Sequence, residues 1–225
     1  MAALHEVAGL LFGADDELRQ IIAVTLQMSF ASTILSVLAG VPVGLLFATR
    51  EFRGKGLLLR VVHTLMGFPP VVAGLVVFSV LSRSGPLGQY KLLYSVPAMV
   101  TAQVLLITPI AIGLTEATVA ARYPMLKETA AGMGLSGLRL LYYTLYECRK
   151  PLFAVLFTGF GRAISEVGAA QLVGGNIQYK TRVMTTSIVL ETNMGHFSKA
   201  LALGLVLLLI SFVITSVAQA LQEGV

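Results

Sequence analysis

The chain has 225 residues, 56% of them hydrophobic and only 12% charged, with a mean hydropathy of +0.84. A soluble domain is roughly half apolar and a quarter charged, so this apolar excess is more than a buried core absorbs, and the chain reads as an integral membrane protein. The net charge of +5 belongs to loops that meet anionic lipid. It is not a nucleic-acid footprint, because no aromatic residues interleave with the basic ones.

Residues 1–20 form a short, partly apolar lead-in that reads as an interfacial helix or a frayed end, the former being favoured. The first Lys or Arg is Arg19, behind Asp15, Asp16 and Glu17. The positive start of a secretory signal is missing, so the first apolar segment is expected to be its own anchor. A spanning helix needs about 20 mostly apolar residues. Five stretches meet that need, at 21–49, 57–81, 94–120, 152–173 and 197–221. The expectation is therefore an all-α integral membrane protein with five spans, one domain over 21–221 and a tail at 222–225. Pro42 interrupts the first span, Pro69 and Pro70 the second, and Pro97 and Pro109 the third. Each removes a helical hydrogen bond and should kink its helix, either for packing or for a pathway that opens and closes. The 22 glycines fit close helix contact in lipid.

Basic residues set the expected orientation. Arg50, Arg53, Lys55 and Arg60 lie at the first connection, and Arg122, Lys127, Arg139, Arg149 and Lys150 at the third. The other side holds Arg19, Arg83, Lys91, Lys180, Arg182 and Lys199. Nine against six places the first and third connections in the cytoplasm, with the N-terminus outside and the C-terminus inside.

The third connection, 121–151, is not loop-like. "YPMLKETAAGMGLSGLRLLYYTLYECRKP" is rich in helix formers. Pro124 suits a helix start, and Gly132, Gly134 and Gly137 break that helix before a second one over 138–147. Two short helices at the membrane surface need a cover for their apolar residues, either lipid or a cytoplasmic protein.

In the fourth span, "GFGRAISEVGAAQLVGGN" sets Arg162 and Glu166 four residues apart on one helix face, with Ser165 beside them. A charge at mid-bilayer costs about 2.5–3.5 kcal/mol on insertion scales, so the pair should face other helices or water. It is either a structural salt bridge or the lining and gate of a conduit, with Arg162 attracting a divalent oxyanion and Glu166 neutralising Arg162 at rest. Gly174 and Gly175 end the helix. Beyond them Lys180 and Arg182 give a basic outer loop, a solvated one or an attractor for anions or an acidic partner. Thr185, Thr186 and Ser187 could offer hydroxyl donors to an oxyanion from a re-entrant stretch.

The 121–151 loop resembles the EAA loop of ABC transporter permeases, E-A-A-x3-G-x9-I-x-L-P. Glu128 takes the acidic position, Thr129 replaces the first alanine, Ala130 is the second, and Gly134 falls six residues after Glu128. Thr144, Tyr146 and Glu147 stand where Ile, Leu and Pro are usual. "PPVVAGLVVFSVLSRSGPLG" at 69–88 resembles a membrane block of molybdate and tungstate permeases. "GFGRAISEVGAAQLVGGNI" and "KTRVMTTSIVLETNMGHFSKALALG" are closer to the tungstate type.

The resemblance covers about residues 21–221. It implies a type I ABC importer permease for tungstate, or for molybdate, working by alternating access in a bacterial or archaeal plasma membrane. It also implies a second copy of the chain, two ATPase subunits that carry ATP and Mg, and an external oxyanion-binding protein. Glu128, Thr129, Ala130 and Gly134 would couple it to the ATPase.

No GxxxxGK[ST] sequence occurs, and "RGKG" at 53–56 lacks its first glycine and final hydroxyl, so no phosphate-cradling loop is present. His5, His63 and His196 are far apart, with His63 expected to be packed near the cytoplasmic end. The single Cys148 excludes an intramolecular disulfide and a cysteine metal cluster. The chain reads as a transport subunit without cofactor, not an enzyme. The competing reading is a carrier driven by an ion gradient, with Arg162 and Glu166 as a proton-linked pair.

Overall fold

The computed structural model describes residues 16–224, leaving aside the side chains of 218 and 221–224. The lead-in therefore falls outside the description up to residue 15, as does Val225. Helix α1 runs Asp16–Thr49, starting five residues before the expected span. Asp16 and Glu17 in its first turn suit the positive end of the helix dipole. At 1.5 Å per residue its 34 residues reach about 51 Å, beyond the roughly 30 Å hydrocarbon layer. Pro42 lies inside α1 without ending it.

Through its middle, from about residue 29 to 44, the polarity of α1 is inverted relative to a soluble helix, while apolar residues are buried towards both ends. Thr25, Ser29, Ser32, Thr33, Ser36, Gly40 and Gly44 are buried, while Phe30, Ile34, Leu35, Leu38 and Leu46 are exposed. In lipid the apolar face needs no cover, and small residues permit close helix contact. A Cβ on Gly40 would stand 2.6 Å from the Ala111 Cβ, and one on Gly44 2.6 Å from the Ile112 carbonyl oxygen. These two glycines seat α1 on α4, Val96–Ala120. Helix α4 is the centre of the bundle, with Ala98, Met99, Ala102, Ala111 and Val119 fully buried. Its start is capped by the Ser95 hydroxyl, which accepts from the Ala98 amide. Pro97 lies in the first turn of α4, where no helical N–H is lost, so it opens that helix and does not kink it.

The second span is not one helix. It is α2, Lys55–Met66, and α3, Pro70–Leu81, bent by 101°. The residue before a proline avoids the helical region, so Phe68 and Pro69 cannot both continue α2, and Pro70 opens α3 instead. His63 is exposed on α2, not packed as expected. The fourth span also breaks, into α7, Arg149–Ile164, and α8, Gly168–Gly174, bent by 59°. Between the broken spans and the end of the chain lie α9, Met184–Asn193, and α10, Phe197–Gly224. Among the described residues three helices are long and apolar enough to cross a bilayer unbroken, and the number reaches five when each bent pair counts as one span.

At one end of the bundle, α5, Tyr123–Gly132, and α6, Gly137–Glu147, form the two surface helices expected. Gly134 has φ +70°. Its amide donates to the Ala131 carbonyl at 3.0 Å, and the Leu135 amide to the Ala130 carbonyl at 2.8 Å. This is a Schellman ending, and its left-handed residue is the glycine.

Candidate translocation site

The two broken spans meet at their breaks. A Cβ on Gly168, the first residue of α8, would stand 2.9 Å from the Val71 Cγ2, and one on Gly74 2.8 Å from the Ala169 Cα. The starts of α3 and α8 thus touch inside the bundle. The α7–α8 break holds Ser165, Glu166 and Val167. Arg162 and Glu166 therefore do not share one helix face: Arg162 lies in the last turn of α7 and Glu166 in the break. They pair nonetheless, at 3.5 Å between Arg162 Nη1 and Glu166 Oε2.

The two partners are held unequally. The Glu166 side chain is 2% exposed and that of Arg162 35%. Glu166 Oε1 accepts from the Ala169 amide at 3.0 Å, satisfying one of the donors that the start of α8 leaves open. The Glu166 carbonyl accepts from Thr185 Oγ1 at 2.8 Å. The carboxylate is thus built into the fold, whereas Arg162 has Glu166 as its single ion-pair partner among the described residues. A guanidinium carries five N–H donors, so most of its capacity is available on the exposed side. At 1.5 Å per residue Arg162 lies about 20 Å along α7 from Arg149, deep within a span. Thr158, Gly161 and Ser165 are exposed on the same stretch. The Ser165 hydroxyl turns back to the Gly161 carbonyl at 2.9 Å.

Thr185, Thr186 and Ser187 do not form a re-entrant donor stretch. They are buried in α9, and their hydroxyls bond to Glu166, to Asn176 and Val183, and to Val183. Arg182 is not an open loop cation. It bonds to Glu17 at 2.7 Å, tying the segment before α9 to the first turn of α1, while Lys180 is exposed. Nearby, Glu191 accepts from Lys199 at 2.6 Å and lies 2.9 Å from His196 Nδ1. Burial pushes the Glu191 carboxyl up, but its hydrogen bonds with Lys199 and His196 outweigh that and hold it below the usual carboxylate value. Cys148 is buried where α6 meets α7, and that burial pushes its thiol up.

Of the four residues assigned to coupling, Glu128, Thr129 and Gly134 are exposed on the α5–α6 surface. Ala130 is fully buried, so it fastens α5 to the bundle and presents nothing to a partner. Sequence reasoning passed over the most prominent apolar groups there. Leu138 is 83% exposed and Tyr142 73%, beside a recess of about 400 Å³ lined with Leu135, Tyr143 and Tyr146. Their helical spacing could have found them. Also passed over were Gln103, buried in α4 with its amide bonded to α1 and α7, and Glu116, half-buried in the last turns of α4.

Residues 40–225 match the family of binding-protein-dependent transport system inner membrane components. The chain belongs to that family. Its permease character extends to individual relatives. The chain is 41% identical to the tungstate uptake system permease protein TupB of Peptoclostridium acidaminophilum, covering 95% of this chain and 94% of that one. It is 38% identical to the TupB of Campylobacter jejuni, covering 95% and 90%. A bacterial ABC transporter that imports the acidic polysaccharide alginate shares the fold, with a TM-score of 0.77 over 98% of this chain and 83% of that one, at 19% identity. The permease is thus a component of a binding-protein-dependent transport system, and the ion-gradient carrier loses its support.

Proposed function

We propose that the chain is the permease of an ATP-driven importer whose substrate is tungstate. The observation that carries the substrate is the 41% identity to a tungstate permease across nearly the whole chain. The half-exposed Arg162 held by a buried Glu166 supplies chemistry that fits: a cation for a divalent oxyanion, placed where lipid would otherwise forbid it. Two copies about a two-fold axis enclose the conduit. Two ATPase subunits hold ATP and Mg²⁺, and an external binding protein delivers the anion. The basic connections face the cytoplasm, which puts α5 and α6 on the ATPase, the N-terminus outside and the tail inside.

In this reading Glu128, Thr129, Gly134 and the exposed face of α6 meet the ATPase, and its closure moves α5 and α6 against the bundle. The bend between α2 and α3 and the break between α7 and α8 let that motion alternate the open side of the conduit. The anion displaces part of the Arg162–Glu166 attraction on arrival, with Ser165 able to turn its hydroxyl to it. Glu166 recaptures Arg162 afterwards, so the anion is not trapped. Molybdate has the same shape and charge, which a single guanidinium does not distinguish, so selection between the two falls to the binding protein.

The test is uptake by the complex with its ATPase and binding protein in liposomes. Arg162→Gln lowers tungstate uptake at least about tenfold, the scale of a lost charge-assisted contact, while basal ATP hydrolysis continues. Wild-type uptake by this variant removes Arg162 from the path. Failure of the unaltered complex to carry tungstate removes the substrate assignment.

A further inference from the structure

Gln103 lies within α4 and is 1% exposed, in a region where every polar group must find its partner inside protein. Both ends of its amide are used. Oε1 accepts from Ser32 Oγ of α1 at 2.6 Å, and Nε2 donates to the Ala163 carbonyl of α7 at 2.8 Å. Ala163 follows Arg162 directly. Its carbonyl is among the last-turn acceptors that a helix ending at Ile164 leaves without an intrahelical donor. The Glu166 amide also reaches it, at 3.2 Å. Within the break, Thr185 of α9 donates to the Glu166 carbonyl at 2.8 Å. The stretch from Ala163 to Glu166 is therefore held by side chains from two other helices, and the clamp nearer Arg162 is Gln103. The position requires an uncharged group that accepts from α1 and donates to α7 at once. An amide does this; an aliphatic side chain does neither, and an ionised carboxylate only accepts.

We propose that Gln103 is a positioning residue for anion transfer, holding the backbone beside Arg162 so that the guanidinium stays at the exposed wall of the break. The inference rests on the reading of Arg162 as the anion contact. Because reactive or binding groups displaced by about 1 Å lose much of their effect, the loss of this clamp is felt through Arg162 in addition to the cost of the two lost hydrogen bonds.

The experiment is a double-mutant cycle on tungstate uptake by the full complex in liposomes, with Gln103→Met, Arg162→Gln and both together. Gln103→Met keeps the length and removes both hydrogen bonds. The expected result is an uptake loss of about tenfold in the unaltered background, with complex yield and basal ATP hydrolysis preserved, and no further loss when Arg162 is already Gln. Equal loss in both backgrounds shows that Gln103 merely packs α1, α4 and α7, and overturns the proposal while leaving Arg162 in place. Unchanged uptake in Gln103→Met overturns it as well. Wild-type uptake by Arg162→Gln overturns the reading beneath it and the proposal together. If Gln103→Met does not assemble, Ser32→Ala takes away the Oε1 bond and leaves the Nε2 bond of Gln103 in place, losing besides only the Ser32 hydroxyl's local bond to the Ser29 carbonyl. A smaller loss that vanishes in the Arg162→Gln background supports the positioning role, and any other pattern overturns it.

Discussion

Glu166 serves two neighbours at once, and two substitutions separate those services. Gln keeps an oxygen that can accept from the Ala169 amide but no longer carries the charge that faces Arg162; Ala removes both. The expected outcome is that Glu166→Ala lowers the melting temperature of the detergent-purified permease and Glu166→Gln lowers it much less, since a lost cap costs about 1 kcal/mol. Both variants impair coupled uptake. Normal uptake and normal ATP coupling in Glu166→Gln would contradict the neutralising role of the carboxylate. This pair was legible in the sequence because two ionisable residues four apart in an apolar run are costly enough to demand partners. The break between them was not legible, since the contacts that hold it, with Val71, Thr185 and Gln103, are all distant in sequence. Gln103 escaped notice for the same reason. An amide in a span carries no charge to mark it, and its partner Ala163 is 60 residues away.

At the level of elements, the glycine joint between α5 and α6 makes the clearest demand on residue type. Gly134 has φ +70° with nothing within 4 Å of an added Cβ, so the obstacle to substitution is backbone conformation and not space. Asn visits the left-handed region with little penalty, whereas a β-branched side chain pays about 1–2 kcal/mol there. Gly134→Asn is expected to keep its ATPase in a pull-down from membranes, and Gly134→Val to lose it. Equal recovery with both would mean that the joint does not set the docking geometry. The surface helices themselves could be read from Pro124 and the three glycines, and their ends fell within a residue of expectation. Prolines were harder to read. Pro97 opens α4, Pro42 is absorbed in α1, and only the doubled Pro69–Pro70 divides a span. The outcome depends on where in a turn each ring falls, which hydropathy alone does not reveal.

Across the whole molecule, one remote ion pair and two local ones fasten the segment around α9. Arg182 joins it to α1 through Glu17, and Glu191 joins it to the start of α10 through Lys199 and His196. The Glu191 carboxyl lies below its ordinary value of about 4.3, so its contribution to stability is fully present above that value and is lost as pH falls through the lower folded one. Glu191→Gln should therefore melt below the parent at pH 7, and the gap should close as the pH is taken under about 4. A gap that is constant with pH would show that the carboxylate charge is not what holds α9 to α10.

The broken fourth span has a consequence for biogenesis. Segment α8 is only 7 residues long, and the 16 residues of α7 carry an arginine near their end. Neither half has the apolar length by which a segment commits itself to lipid unaided. Their polar groups are satisfied by Gln103 and Thr185, and their close contacts by Val71 and Gly74, in elements on both sides of them in the chain. The bent form of this span therefore depends on neighbours from both sides of it in the chain, and it is completed only after α9 has been made. The order of synthesis, as much as the final packing, guards the pair of charges that the chain keeps at this break.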